Sequence, residues 1–135
     1  MSGDEFGSSV AVSDTTAVVS AVGGHRAYIF TEKASGWKGV VQMTGSDTNA
    51  TDYFGDSVAI SGTTVIVGAP LHRAGRAYLF TKTANDWKQI AELEGSDVGQ
   101  TSSEFGYSVA ISGRTVVVSA PGRATFAGRA YVFEG

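Results

Sequence analysis

The feature that most constrains this chain is a phrase written three times. Phe6-Gly7, Phe54-Gly55 and Phe105-Gly106 stand 48 and 51 residues apart, and each precedes a Ser-Val-Ala run. "SVAV" from Ser9 matches "SVAI" from Ser57 and again from Ser108, while "AVVSAV" from Ala17 matches "VIVGAP" from Val65 and "VVVSAP" from Val116. "RAYIF", "RAYLF" and "RAYVF" then begin at Arg26, Arg76 and Arg129. Copies one and two continue through Trp37 and Trp87 into "WKGVVQMTGSD" and "WKQIAELEGSD", for which copy three has no counterpart. A fixed period of this size is the signature of stacked units, each too thin to bury its own apolar face.

β-branched and aromatic residues dominate every segment, and Gly, Ser, Asp or Asn bound each one, so the full repeat reads as four short strands with no helix. The middle strands, such as Thr64-Val65-Ile66-Val67 and Ala77-Tyr78-Leu79-Phe80, show no polar alternation, which predicts burial from both sides. In the fourth strand the two-residue period places Trp87, Ala91 and Leu93 on one face and Lys88 and Glu92 on the other, as in a half-solvated outer strand. Ala11, Ala59 and Ala110 stand between larger residues in the first strand, which suits a crowded place near a central axis.

The expected fold is therefore all-β: propeller blades of four antiparallel strands, the third lacking its outer strand, with repeats near 4–51, 52–102 and 103–135. A β-sandwich is the competing architecture, but its strands seldom repeat at a fixed period and its outer faces are polar. Between the first two strands, Ser61-Gly62-Thr63, Ser112-Gly113-Arg114 and Ser13-Asp14-Thr15 place Gly or Asp where positive φ is expected.

Composition closes off several function classes. Thirteen acidic and ten basic residues give a net charge of −3 without a basic block, so no nucleic-acid or anionic-membrane footprint is present. Apolar runs stay far below the ~20 residues of a spanning helix. The absence of cysteine excludes disulfides, zinc–thiolate sites and thiol catalysis. The start, "MSGDEFG", has neither the basic nor the apolar region of a secretion signal in this numbering.

The succession of Phe-Gly, hairpin and Gly68-Ala69-Pro70 resembles the FG-GAP repeat of the integrin α-subunit propeller and of related surface and secreted proteins. The likeness runs from Phe6 to Phe133; Ser119 replaces the Gly in copy three, and Ser20-Ala21-Val22 replaces Gly-Ala-Pro in copy one. It implies a propeller with the Phe-Gly strand innermost and the Trp strand outermost. It also implies that the loops joining strands four to one and two to three share one face, by which related propellers meet partners. An extracellular or cell-surface setting follows from the same likeness. Many such repeats carry an Asp-x-Asp-x-Asp-Gly calcium loop, but the turns here supply only Asp14, so no metal or other cofactor is expected. Asp47, Asp52 and Asp56, with Asp97 and Glu104 in the equivalent loop, read as turn-capping residues.

No repeated nucleophile, acid or base accompanies His25 and His72, so a non-catalytic protein is expected. Arg26, Arg76 and Arg129 read as structural arginines bonding inter-blade carbonyls or a loop Asp, and the strand-three tyrosines and phenylalanines as core. Trp37 and Trp87 read as covers of the outer blade edge, sharing a strand face with Val41, Met43, Ala91 and Leu93. Variable loops on a constant scaffold make Tyr53, His72, Arg73, Arg123 and Phe126 the candidate contacts. Asn49-Ala50-Thr51 is a glycosylation sequon, meaningful in a eukaryotic secretory route. Three blades do not close a ring, and Arg129, Ala130, Tyr131, Val132 and Phe133 would leave an open apolar edge. The expectation is an interaction or structural module completed by self-association, partner subunits or further chain. A lectin-like carbohydrate binder using the same loops is the alternative.

Overall fold

The computed structural model describes residues 3, 5–46, 52–71, 75–84, 86–94, 104–121 and 128–134. Eleven strands follow in order: β1 (Phe6–Ser13), β2 (Thr16–Ala21), β3 (Arg26–Lys33), β4 (Gly36–Met43), β5 (Ser57–Ser61), β6 (Thr64–Ala69), β7 (Arg76–Lys82), β8 (Trp87–Leu93), β9 (Val109–Ser112), β10 (Thr115–Ala120) and β11 (Arg129–Glu134). They form three antiparallel sheets in the orders β1-β2-β3-β4, β5-β6-β7-β8 and β9-β10-β11. These are propeller blades, two of four strands and a third of three strands among the described residues. Among the described residues, a 3-10 turn at Val22–Gly24 is the one departure from the expected absence of helix.

Local chemistry sets the hairpins. Ser13 pairs with Thr16, Ser61 with Thr64 and Ser112 with Thr115, so two residues close each turn. The first of the two is left-handed in every copy, at φ 51° for Asp14 and 58° for both Gly62 and Gly113, where Gly and Asp are tolerated best.

The first strands of neighbouring blades lie beside one another, β1 against β5 and β5 against β9. Each blade presents two cross-strand stripes to its neighbours. On the trailing face, Ala59, Ile66 and Leu79 are in register, as are Ala11, Val18 and Ile29, and Ala110, Val117 and Val132. On the leading face, Val58, Val67 and Tyr78 align, with Val10, Val19 and Tyr28, and Val109, Val118 and Tyr131, as their counterparts. The trailing face of the first blade and the leading face of the second form one core, around Val18, Ile29, Phe54 and Tyr78. The second and third blades form another, around Ile66, Phe105 and Val118.

Burial from both sides, expected of every middle strand, holds for the second blade, where Val65, Ile66 and Val67 are fully buried. The outer blades each keep one face open. Val10 and Val12 are exposed on the leading face of the first, and Val117 and Val132 on the trailing face of the third.

The outer strand departs from the simple two-residue period. Leu79 pairs with Ala91 but Phe80 with Gln89, so Ile90 is the extra residue of a β-bulge; Ile29 and Phe30 pair with Val41 and Gly39 around a second bulge at residue 40. An inserted residue reverses the side-chain alternation beyond it. Trp87 consequently lies in the core toward the first blade and Leu93 packs toward the third, rather than sharing one face as the period predicts. In the first blade the same reversal puts Met43 in the core while Trp37 is exposed.

Candidate interaction surface

Each Phe-Gly pair forms a corner where the first strand of its blade begins, as the opening residues of β1 and just ahead of β5 and β9. The residue ahead of the Phe is left-handed (Glu5 φ 57°, Tyr53 φ 62°, Glu104 φ 58°), and the Gly follows at φ 92°, 98° and 98°. The carbonyl of the left-handed residue accepts a backbone N–H three residues on: Ser8 to Glu5 at 3.0 Å, Asp56 to Tyr53 at 2.9 Å and Tyr107 to Glu104 at 3.0 Å. The Gly N–H then donates to the end of the second strand, Gly55 to the Gly68 carbonyl at 3.0 Å and Gly106 to that of Ser119 at 2.9 Å.

The corner aims its Phe at two strand-three rings of the same blade. Phe54 meets Tyr78 and Phe80 edge-on at 5.6 and 6.2 Å, and Phe105 meets Tyr131 and Phe133 at 5.4 and 6.1 Å. Phe6 holds Tyr28 and Phe30 at 5.6 and 6.3 Å, the same trio. Their surroundings differ: Phe54 and Phe105 are 0% exposed against the preceding blade, and Phe6 is 60% exposed. Phe6, Tyr28, Phe30 and Val41 line an open hollow of about 390 Å³.

The preceding blade is cut to receive a corner. A Cβ on Gly68 would strike the Gly106 carbonyl, and one on Gly75 would strike the backbone of Phe105, with which Gly75 forms a parallel bridge. Ser57 Oγ donates to the Gly106 carbonyl at 3.1 Å. At the first junction the position of Gly68 is taken by Ser20, whose Cβ would stand 3.2 Å from a Cβ on Gly55, while the Arg26 carbonyl would stand at 3.1 Å. At the opposite rim Gly62 N–H donates to Ser13 Oγ at 3.1 Å, and Gly113 N–H to Ser61 Oγ at 3.0 Å. Sequence reasoning assigned these serines to their own turns; their recurrence directly before each left-handed residue was the signal for a ladder between blades.

Arg76, expected to reach an inter-blade carbonyl or a loop Asp, binds within its own blade. Its Nε lies 3.3 Å from Glu92 and its Nη2 3.1 Å from Glu94, with Nη1 donating to the Gly75 carbonyl at 2.7 Å. Tyr28 pairs with Gln42 where Tyr78 pairs with Glu92, so the first blade lacks the matching carboxylate. Burial first, and the charge of Glu104 second, raise the pKa of Asp56 above its ordinary value.

Of the candidate contacts, Tyr53 is exposed on the corner rim. His72, Arg73, Arg123, Phe126 and the sequon Asn49 lie outside the described residues. Arg129, Ala130, Tyr131, Val132 and Phe133 form β11, paired with β10 and outermost in the third sheet. Tyr131 and Phe133 pack toward Phe105, and Val132 points to the open trailing face. His25 is a half-buried left-handed residue closing the 3-10 turn, not a plain surface side chain. Among the described residues no group of three or more His, Cys, Asp or Glu converges as a metal site, and no helix is long and apolar enough to cross a membrane.

A family model described as FG-GAP repeat matches residues 1–32, 37–80 and 87–133. The second and third matched stretches begin in or at the outer strand of one blade and run into the third strand of the next, so the sequence unit spans the junction. No curated protein matches the chain.

Proposed function

Because the chain belongs to the FG-GAP repeat family, we propose that it is a non-catalytic interaction or structural module, an arc of propeller blades that works when other blades or strands complete it. The observation that carries this reading is the contrast between Phe6, 60% exposed, and Phe54 and Phe105, 0% exposed, in otherwise matching corners. An apolar trio held in its packed geometry while facing water is a surface awaiting a partner. The open trailing face of the third blade, with Val117 and Val132, is a second such surface, and the β11 backbone edge offers strand addition. Tyr53, exposed on the corner rim, and His72, Arg73, Arg123 and Phe126 are the proposed contacts. The setting is extracellular or at a cell surface, where an adhesive module of this kind acts, and a glycan on Asn49 would be compatible with it.

Hydrogen exchange tests the reading. Along β11 the amides turned away from β10 should exchange faster in the isolated chain than in its native assembly, where an added strand protects them. A monomeric isolated chain in which all of these amides are already protected would overturn it.

A further inference from the structure

We propose that a hollow between the first two blades, on the hairpin rim opposite the Phe-Gly corners, binds the ring of an acidic sugar, with the sugar carboxylate between Lys33 and Lys82. The inference goes beyond the module reading and does not depend on it.

The hollow is lined by Thr31, Lys33 and Val41 of the first blade together with Lys82, Asp86 and Trp87 of the second. Its volume is about 170 Å³, well above the ~10–15 Å³ that one water needs and below the ~300 Å³ at which drug-sized pockets begin. That leaves room for one small ring.

Strand register explains how the charges meet. Thr31 and Lys33 follow Ile29 at two-residue steps on the trailing face of the first blade, and Val41 pairs with Ile29. Lys82 follows Tyr78 and Phe80 on the leading face of the second blade, and Trp87 is its cross-strand partner. Two ammonium groups therefore enter one junction from opposite blades, and among the described residues neither has an ion-pair or hydrogen-bond partner. Lys38, paired with Thr31, adds positive charge on the same face of the first blade. Like charges gathered at one hollow repel, and an anion between them reverses the sign of that interaction.

The charges are not a by-product of the repeat. Copies one and two align without a gap from Thr31 to Trp37 and from Thr81 to Trp87. Lys33 stands where copy two has Thr83, Lys82 where copy one has Glu32, and Asp86 where copy one has Gly36. Every position in this stretch at which the copies differ in charge thus contributes one residue to the hollow.

The remaining groups fit a sugar better than a bare anion. Trp87 is buried in the core with Val41 packed against the same cluster, so its ring is a fixed apolar floor for the C–H face of a pyranose. Asp86 Oδ1 accepts the backbone N–H of Trp87 at 2.8 Å, and the Asp86 carbonyl accepts the N–H and the hydroxyl of Thr83 at 2.7 and 3.0 Å. The turn bearing this carboxylate is therefore held by its own bonds. The Asp86 carboxylate and the Thr31 hydroxyl can accept hydrogen bonds from sugar hydroxyls, which acetate and sulfate lack.

Titration with D-glucuronate, followed by tryptophan fluorescence, tests the site in a Trp37→Phe background that leaves Trp87 as the sole reporter. Trp37 is exposed, so this background should keep the parent circular dichroism. The expected result is a saturable change with a dissociation constant of about 1 mM, the affinity of so small a ligand at ordinary efficiency per atom. D-glucose, acetate and sulfate should each bind at least about tenfold more weakly, because each lacks the charge or the hydroxylated ring. Lys33→Gln and Lys82→Gln, both at exposed positions, should each weaken glucuronate about tenfold. Lys88→Gln should leave binding unchanged, since its pairing with Thr81 puts Lys88 on the other face of the second blade. No saturable change with glucuronate would overturn the proposal, as would equal affinity for glucose, acetate or sulfate, or undiminished binding by either Lys33→Gln or Lys82→Gln. None of these outcomes bears on exchange at β11, by which the module reading is judged.

Discussion

Gly68 and Gly106, from neighbouring blades, approach so closely that a Cβ on the first would overlap the carbonyl oxygen of the second. Neither atom belongs to a side chain that can swing away. Gly68→Ala should therefore cost about 2–3 kcal/mol, the upper part of the overpacking range. The reading is a lower denaturation midpoint with an unchanged denaturant slope. Gly68 is not left-handed, so without the clash the same change would stabilise through the unfolded chain. The sign of the result therefore reports the junction.

The hairpin ladder makes a smaller, separable contribution. Ser61→Ala removes the acceptor for Gly113 N–H, and Ser13→Ala that for Gly62 N–H, with heavy-atom distances of 3.0 and 3.1 Å. Both sites are exposed and water replaces the lost partner, so each change should cost about 0.5 kcal/mol. Amide exchange at Gly113 should speed up in Ser61→Ala and remain unchanged in Ser13→Ala, because each rung spans its own junction.

The bulges show where sequence reading stopped. Period-two alternation in "WKQIAEL" gave Trp87 and Leu93 a common face, and they lie in different cores because Ile90 is inserted between them. A bulge is decided by pairing across to β7, which alternation along a single strand does not contain. The repeat itself, the left-handed hairpin residues and the aromatic core were legible, because each depends on local chemistry recurring three times. Uneven exposure of equivalent residues was not: Trp37 and Trp87 are 47% and 8% exposed because one blade lies at the end of the arc and the other in its middle. The partners of Arg76 were missed for the same reason as the bulge, since Glu92 and Glu94 reach it only after β8 has paired with β7.

That arginine gives a charge-dependent prediction. Arg76 is largely buried and holds two partly exposed carboxylates on β8, so Arg76→Ala should cost about 1 kcal/mol at low salt and less at high salt. Lysine should not restore it, since one ammonium cannot span Glu92, Glu94 and the Gly75 carbonyl together. Arg26→Ala should cost less, because β4 presents Gln42 where β8 presents Glu92. Melting at two salt concentrations checks all three variants.

Asp56 gives a dependence on pH. Burial, and then the neighbouring Glu104, favour its protonated form in the folded chain, so its folded pKa lies above its unfolded one. Between those two values the folded state binds more protons than the unfolded state, and stability falls as pH rises through that window. The penalty is absent below the ordinary aspartate range and fully present at neutral pH. Asp56→Asn removes it, so the variant should melt slightly above the parent at pH 7 and level with it near pH 3. Glu104→Gln removes only the second cause and should give a smaller rise of the same sign. A pair of melting curves that stay parallel from pH 3 to pH 7 would show that the desolvation of Asp56 does not act on folding.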